Sequence, residues 1–360
     1  VSGARNDTPA ALDELPTPAL CLDLAAFQDN AAWLATTLRD SGKQWRPQHA
    51  VVFEQAAKCE LSAGAAGVAC LSVEAAERLV EAGVEDVVVD CAPVGQHRVE
   101  RLAELSGRSR LAVVCDHFVQ VKALAEACSA QGTRCGVLVE LEVGTGRSAA
   151  RPGPDVLELA EAVQRLDGVE LVGLSGTFEP LGQLAGRPAA RTTDDALNVL
   201  THCRRQLERR GLLCNRVSVR QSSPSPTVLR SDVVTEVRTA AAWQVVAGDG
   251  TEQPKSPGRS LTVLTTVVSR GLFDRATLDC GRRWLCFGPA RHVVVDFPDV
   301  EVLAVDDGWC TVRLEGAARE WLIGQRVRLV VERCEETLAL HDRLFVVQGE
   351  QVEAVWLRDA

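Results

Sequence analysis

The stretch GVACLSVEAAERLVEAGVEDVVVDC, residues 67–91, carries the pattern that decides the fold. Two short β-rich runs, Gly67–Leu71 and Asp86–Cys91, flank Val73–Ala82, whose apolar residues recur at the three and four spacings of an amphipathic helix. A strand, a helix and a second strand in this order form a crossover unit, and such a connection makes the two strands parallel neighbours.

The same alternation extends in both directions. Strands are predicted at Gln44–Ala50, Gly67–Leu71, Asp86–Cys91, Leu111–Cys115, Gly136–Leu141, Glu170–Leu174, Arg216–Val219 and Val233–Val237, with helical patterns such as His117–Ala130, Pro154–Arg165 and Ala196–Arg210 between them. Eight such units in about 220 residues fit an α/β (β/α)8 barrel. Periodicity alone also fits a doubly wound sheet, although no GxGxxG follows the first strand to support a dinucleotide site.

After about residue 240 helical periodicity ends. Leu261–Val268, Ala276–Cys280, His292–Val295, Glu301–Val305, Cys310–Leu314, Arg326–Val331, Arg343–Val347 and Val352–Trp356 are short runs broken by Gly, Pro and Asp, which predicts antiparallel sheet. Thr251–Arg259 is expected to be an exposed loop. The strand Ala19–Leu22 is one too many for the barrel and is assigned to the later sheet. The expected division is a barrel over residues 15–240 and a C-terminal β-domain over 241–360, joined by the strand at 17–23.

Composition narrows the function classes. The formal charge of −10 repels a polyanion, so nucleic acid is not an expected partner. No apolar run reaches the roughly 18 to 20 residues that span a bilayer, so no membrane is expected either. The 13 cysteines have no CxxC pair or finger-like spacing, which suits free thiols in a reducing, cytoplasmic setting. Tyrosine is absent, which removes every tyrosine-based mechanism, and lysine occurs only at 43, 58, 122 and 255.

Leu15–Leu22 (LPTPALCL), Arg46-Pro47, Ala63–Val68 (AGAAGV), Ser72–Asp86, Val233–Arg238 (VVTEVR), Leu261–Arg270 (LTVLTTVVSR), Ala276–Gly281 (ATLDCG), Gly324–Leu329 (GQRVRL) and Leu340–Val347 (LHDRLFVV) occur in that order along nearly the whole chain. Together they resemble the D-threonine aldolase and D-serine dehydratase family, whose barrel is of the alanine racemase N-terminal type. The resemblance implies a (β/α)8 barrel with a C-terminal β-domain, a homodimer, pyridoxal phosphate held on a lysine, and a divalent metal.

The residues that the resemblance would place in those roles differ. The family's first strand ends in a segment like RPHxKTHK, whose first lysine takes the cofactor; here residues 46–54 read RPQHAVVFE, without lysine at any register. The family's glycine-rich phosphate loop corresponds to Arg220–Thr227 (RQSSPSPT), where prolines remove amide donors. Aligned on Leu340-His341-Asp342, Arg333 and Glu335 stand at the family's His and Cys metal positions. Cys334 is expected to be out of phase in a strand there. Arg147 matches an arginine near the cofactor ring, and Asp279 matches a β-domain acid that family dimers bring close to the active site. The expectation is therefore no cofactor and no metal.

Barrel chemistry sits at the C-terminal ends of the strands. The candidates there are His49, Glu54 and Glu179 as acid/base groups, Arg147 and Arg220 as anion anchors, Asp279, and Ser222, Ser223, Ser225 and Thr227 as hydrogen-bond donors to a small polar or anionic molecule. Each has a plainer reading: a hydrogen-bonded histidine for His49, solvated acids for Glu54 and Glu179, a Glu142–Arg147 pair, and buried filler for most cysteines. Trp45, Phe53 and Phe178 are candidates to fill the mouth. The expected function is a repurposed, cofactor-independent enzyme. The alternatives are a non-catalytic scaffold and a D-amino-acid lyase using a lysine from elsewhere.

Overall fold

The computed structural model describes residues 11–144, 149–178, 192–243, 258–289 and 294–358. The chain opens with β1 (Ala19–Asp23) and α1 (Leu24–Asp40). It continues through β2 (Gln44–His49), α2 (Glu54–Ala63), β3 (Val68–Cys70), α3 (Val73–Glu81), β4 (Asp86–Val89), α4 (Gln96–Ser106), β5 (Arg110–Cys115) and α5 (Phe118–Gln131). Then follow β6 (Cys135–Leu141), α6 (Pro154–Arg165), β7 (Val169–Thr177), α7 (Thr193–Arg209), β8 (Arg216–Arg220), α8 (Pro226–Leu229) and β9 (Glu236–Ala240).

Strands β2 to β9 form a closed parallel barrel, sealed where Gln44–Gln48 of β2 pairs with Glu236–Ala240 of β9. Closure excludes the doubly wound alternative. The last strand lies three residues later than its apolar pattern predicts. Val233 and Val234 are buried in the approach to the strand, while Glu236 and Arg238, which read as a strand end, lie inside the barrel and are neutralised there.

Alternation within the strands sorts the side chains. One part of the interior is apolar, built from Ala69, Val88, Ala112, Val114 and Leu138. Near the start of the strands the rest is ionic. Arg46, fully buried, donates from Nε to Glu236 Oε2 at 2.9 Å, and its Nη1 is 2.9 Å from Asp86 Oδ1. Arg216 and Arg110 approach Asp86 Oδ2 at 3.5 and 2.9 Å, and Ser218 Oγ donates to Glu236 Oε1 at 2.6 Å. Gly67 is required here by close approach, since a Cβ would collide with Arg46 Nη1 and the Asp86 carbonyl.

The remaining strands are β10 (Leu261–Leu272), β11 (Arg275–Leu278), β12 (Glu301–Val305), β13 (Cys310–Arg313), β14 (Arg326–Val330), β15 (Arg343–Gln348) and β16 (Gln351–Leu357), with a short helix α9 (Cys334–Leu338). They form an eight-stranded sheet in the order β12-β13-β11-β10-β1-β15-β16, with β14 paired to β10. The early strand β1 lies inside this sheet, antiparallel to β10 and parallel to β15. Among the described residues, 31–242 form one compact unit and 11–30, 243 and 258–358 another. Of the expected loop at 251–259, residues 251–257 lie outside the described residues, as do 292 and 293 of the expected strand His292–Val295. Val294 makes an isolated bridge to Leu329. No described helix is long and apolar enough to cross a membrane.

Burial pushes the Glu236 carboxyl up, but the charges of Arg46 and Arg216 and the Ser218 hydrogen bond outweigh it, so its pKa lies below the usual carboxylate range. A depressed carboxyl stabilises the fold above its unfolded pKa, and that stability is lost as pH falls through the folded value. Arg46→Met is expected to lower stability by about 3–5 kcal/mol, because it leaves two buried carboxylates under-compensated. It should also flatten the acid limb of stability against pH. Denaturant melts across the acid range check both effects, and an unchanged midpoint would refute them.

Candidate active site at the barrel mouth

At the opposite ends of the same strands a second ionic set faces inward. Arg238 on β9 is fully buried; its Nη2 donates to Ser175 Oγ of β7 at 2.5 Å and lies 4.0 Å from Glu140 Oε2 of β6. Its Nη1 is 3.2 Å from Oδ2 of Asp90, the residue that follows β4. Arg220, at the end of β8, approaches the same oxygen at 3.7 Å. Thr177 Oγ1 donates to Glu140 Oε1 at 3.0 Å.

This set is incompletely satisfied. Gln48 Oε1, Asp90 Oδ2, Glu140 Oε2, and Nε and Nη1 of Arg238 are buried without a hydrogen bond, although Asp90 and Arg238 approach ionically. Native proteins pair almost all such atoms; five stand in this set, against two, Arg46 Nη2 and Asp86 Oδ1, in the set near the strand starts. Burial pushes the Glu140 carboxyl above its usual range, Arg238 opposes the rise, and the negative charge of Asp90 adds to it. A carboxyl of this kind can hold or release a proton nearer neutral pH than a solvated acid.

Several residues singled out in the sequence lie elsewhere. His49 is not at the mouth: Arg46 and Gln48 point inward, so the pleat turns His49 outward toward α2, where its Nε2 is 2.6 Å from Glu60 Oε2 and both side chains are fully buried. Glu60 Oε1 also accepts the Ala242 N–H at 2.7 Å, tying together the segments after β2 and β9. Glu54 opens α2 and pairs with Lys58 at 3.4 Å on the surface. Asp279 accepts from Thr17 Oγ1 and Thr265 Oγ1, both at 2.6 Å, and from the Thr266 N–H at 2.8 Å, as the hub of a hydrogen-bond cluster in the β-unit. Arg147 and Glu179 lie outside the described residues.

Among the proposed anion-binding residues, Arg220 joins the interior set. Ser222 is exposed and Ser223 half-buried in the following loop, while Ser225 caps the four-residue α8, accepting the Val228 N–H at 3.3 Å, and Thr227 lies within it. Of the proposed fillers, Trp45 is turned outward, with Nε1 donating to Thr239 Oγ1 at 2.8 Å, and Phe53 is buried just before α2.

Gln48, Glu140, Ser175, Thr177 and Arg238 were missed by sequence reasoning that looked after strand ends rather than within strands, and Asp90 because that strand is predicted through to Cys91 but ends at Val89. The available signal was a charge inside an otherwise apolar parallel strand, as in GVLVEL (136–141) and VVTEVR (233–238).

The described residues do not fit a lysine-linked cofactor. Lys43 precedes β2 and donates to the Ser231 carbonyl at 2.7 Å, while Lys58 and Lys122 pair on helices with Glu54 and Glu126. Lys255 lies outside the described residues. The metal-position residues do not fit a dication either. The segment is the short helix α9 rather than a strand, with helical hydrogen bonds from Thr337 to Arg333 and from Ala339 to Glu335, and Arg333 pairs with Glu336 at 2.6 Å. A guanidinium at that point opposes a cation.

A closed parallel barrel joined to an antiparallel sheet, with its polar groups gathered at the strand ends, is the architecture of the alanine racemase class. The chain belongs to the alanine racemase N-terminal domain family, whose model matches residues 22–239, and the putative serine dehydratase domain matches residues 260–347. A D-threonine aldolase of Arthrobacter sp. is 28% identical, over 96% of this chain and 92% of that protein. A 3-hydroxy-D-aspartate aldolase of Paracoccus denitrificans is 25% identical, over 95% and 91%. The crystal structure of a D-threonine aldolase from Filomicrobium marinum superposes with a TM-score of 0.85 at 26% identity, over 97% of this chain and 96% of that one.

Asp279→Ala is expected to cost about 1–3 kcal/mol, because it leaves buried donors unmatched. Thermal melts of the two proteins measure this, and an unchanged midpoint would show that the hydrogen-bond cluster contributes nothing net.

Proposed function

We propose that the chain binds a small polar or anionic, amino-acid-like molecule at the C-terminal end of the barrel and acts on it without a pyridoxal-phosphate Schiff base. The observation that carries this reading is the group of buried polar atoms without a hydrogen bond on Gln48, Asp90, Glu140 and Arg238, two of which, Asp90 Oδ2 and Arg238 Nη1, meet only ionically. Arg238, with Arg220 beside it, would hold an anionic group, and Gln48 Oε1 and Asp90 Oδ2 would accept from the ligand's donors. Glu140 would hold or move a proton at Oε2. Ser222 and Ser223 lie on the segment that follows Arg220 and offer hydroxyl donors.

Relatives named D-threonine aldolase and 3-hydroxy-D-aspartate aldolase support a compact ligand bearing carboxylate, amine and hydroxyl groups. Proton transfer, as in a lyase or isomerase, is the reaction this set supports best. On the family resemblance, the working unit is a homodimer.

Titrating the purified chain with pyridoxal phosphate is expected to give no new band at about 410–430 nm, where a lysine-linked cofactor absorbs. Borohydride should trap no adduct. A trappable band would return the chain to D-amino-acid lyase chemistry and direct the search for its lysine to Lys255. Arg238→Met is expected to weaken binding of methanesulfonate, a small monoanion, by ~30-fold or more. Retained affinity in a folded variant would remove the arginine from the reading.

A further inference from the structure

We propose that a small anion enters the barrel mouth together with a proton, which Glu140 carries. The inference rests on the anion-binding reading above and adds its regulation.

Among the described residues, the interior set contains two guanidinium groups and two carboxyls, and they are unequally paired. Asp90 Oδ2 has Arg238 at 3.2 Å and Arg220 at 3.7 Å. Glu140 Oε2 has Arg238 alone, at 4.0 Å, and no hydrogen bond. Asp90 is therefore the carboxylate with two guanidinium neighbours, whereas Glu140 has one, farther away, and leans on the Ser175 and Thr177 hydroxyls, too little to offset its burial. With both ionised these four described groups sum to zero, and an entering anion would meet two negative groups in a space that screens poorly. With a proton on Glu140 the set carries one net positive charge, which an entering monoanion neutralises.

Among the described residues, the other titratable groups around the set are the thiols of Cys70, Cys91 and Cys115, which burial pushes up, and a few acids engaged elsewhere. Strand β7 presents Ser175 and Thr177, which do not titrate near neutral pH, and β9 presents Arg238. On the β5 side the next acid is Asp116, whose Oδ1 already accepts from Gln120 Nε2 at 2.6 Å. Just past the end of β6, Glu142 Oε1 accepts the Gly144 N–H at 2.5 Å. The loop after β4 supplies Asp90, held by its two arginines. The upward shift of Glu140 through burial and the nearby Asp90 charge agrees with this ranking. An anion close to the carboxyl would raise its pKa further, and by reciprocity a bound proton would tighten the anion.

The test uses the full chain and methanesulfonate, which does not itself titrate in this range. Binding is followed by calorimetry in buffers of different ionisation heat, over a series of pH values. Uptake approaching one proton is expected, with affinity falling by about tenfold per pH unit above the Glu140 pKa. Glu140→Gln, whose amide imitates the protonated acid, should bind with affinity independent of pH. Should that variant not fold, the carboxyl carbon signal of Glu140 in the wild-type chain should show a titration midpoint that rises when methanesulfonate is added. Wild-type binding without proton uptake would overturn the proposal and leave the anion-binding reading standing. Absence of binding at every pH where the chain is folded would overturn both.

Discussion

The barrel is organised around pairing buried guanidinium groups with buried carboxylates. A charge inside a closed parallel barrel is costly unless an opposite charge meets it with good geometry, so each arginine commits the position of its acid. Arg46 commits Glu236 and Asp86 near the strand starts, and Arg238 commits Asp90 near the strand ends. Because Glu236 and Arg238 lie two residues apart on β9, one short strand anchors both sets. The register of that strand on β2 fixes the foundation and the functional end of the barrel together.

The two sets differ in how completely they are satisfied. In the lower set Glu236 receives Arg46 Nε and Ser218 Oγ at short distances, and its charge is stabilised enough to overcome burial. In the upper set the hydroxyls of Ser175 and Thr177 make close hydrogen bonds, but the arginine–carboxylate contacts run from 3.2 to 4.0 Å and five buried polar atoms lack a hydrogen bond. Both sets leave buried atoms without a hydrogen bond, Arg46 Nη2 and Asp86 Oδ1 in the lower and five atoms in the upper, so similar residue types differ between the two ends in degree of pairing.

The sequence made the fold more legible than the site. Sequence pattern placed Pro154–Arg165 and Glu301–Val305 at their observed limits: the helix writes its buried face into residue order, and the strand is a short β-rich run bounded by Pro and Asp. It also assigned Ala19–Leu22 to the later sheet by counting strands. The site was less legible because inward and outward positions of a strand differ by one residue. His49 sits one place from inward-facing Gln48, and that single step takes it from the mouth to the back of α2. Asp279 has the composition of an active-site acid, but its three hydrogen-bond partners, two of them threonine hydroxyls, give it a structural post that motif reading cannot see.

Strand β1 carries a consequence for biosynthesis. It is synthesised before any barrel strand, yet its two neighbours in the sheet are β10 and β15, which follow the whole barrel. A ribosome releasing this chain therefore exposes an apolar strand, Ala19–Leu22, long before its partners exist, while the eight barrel strands between them can already pair with one another. Sheet completion must wait for chain-end segments separated by more than 300 positions, between Cys21 and Phe345. During that interval the strand lacks both of its sheet neighbours and is open to mispairing, which a chaperone's protection would limit.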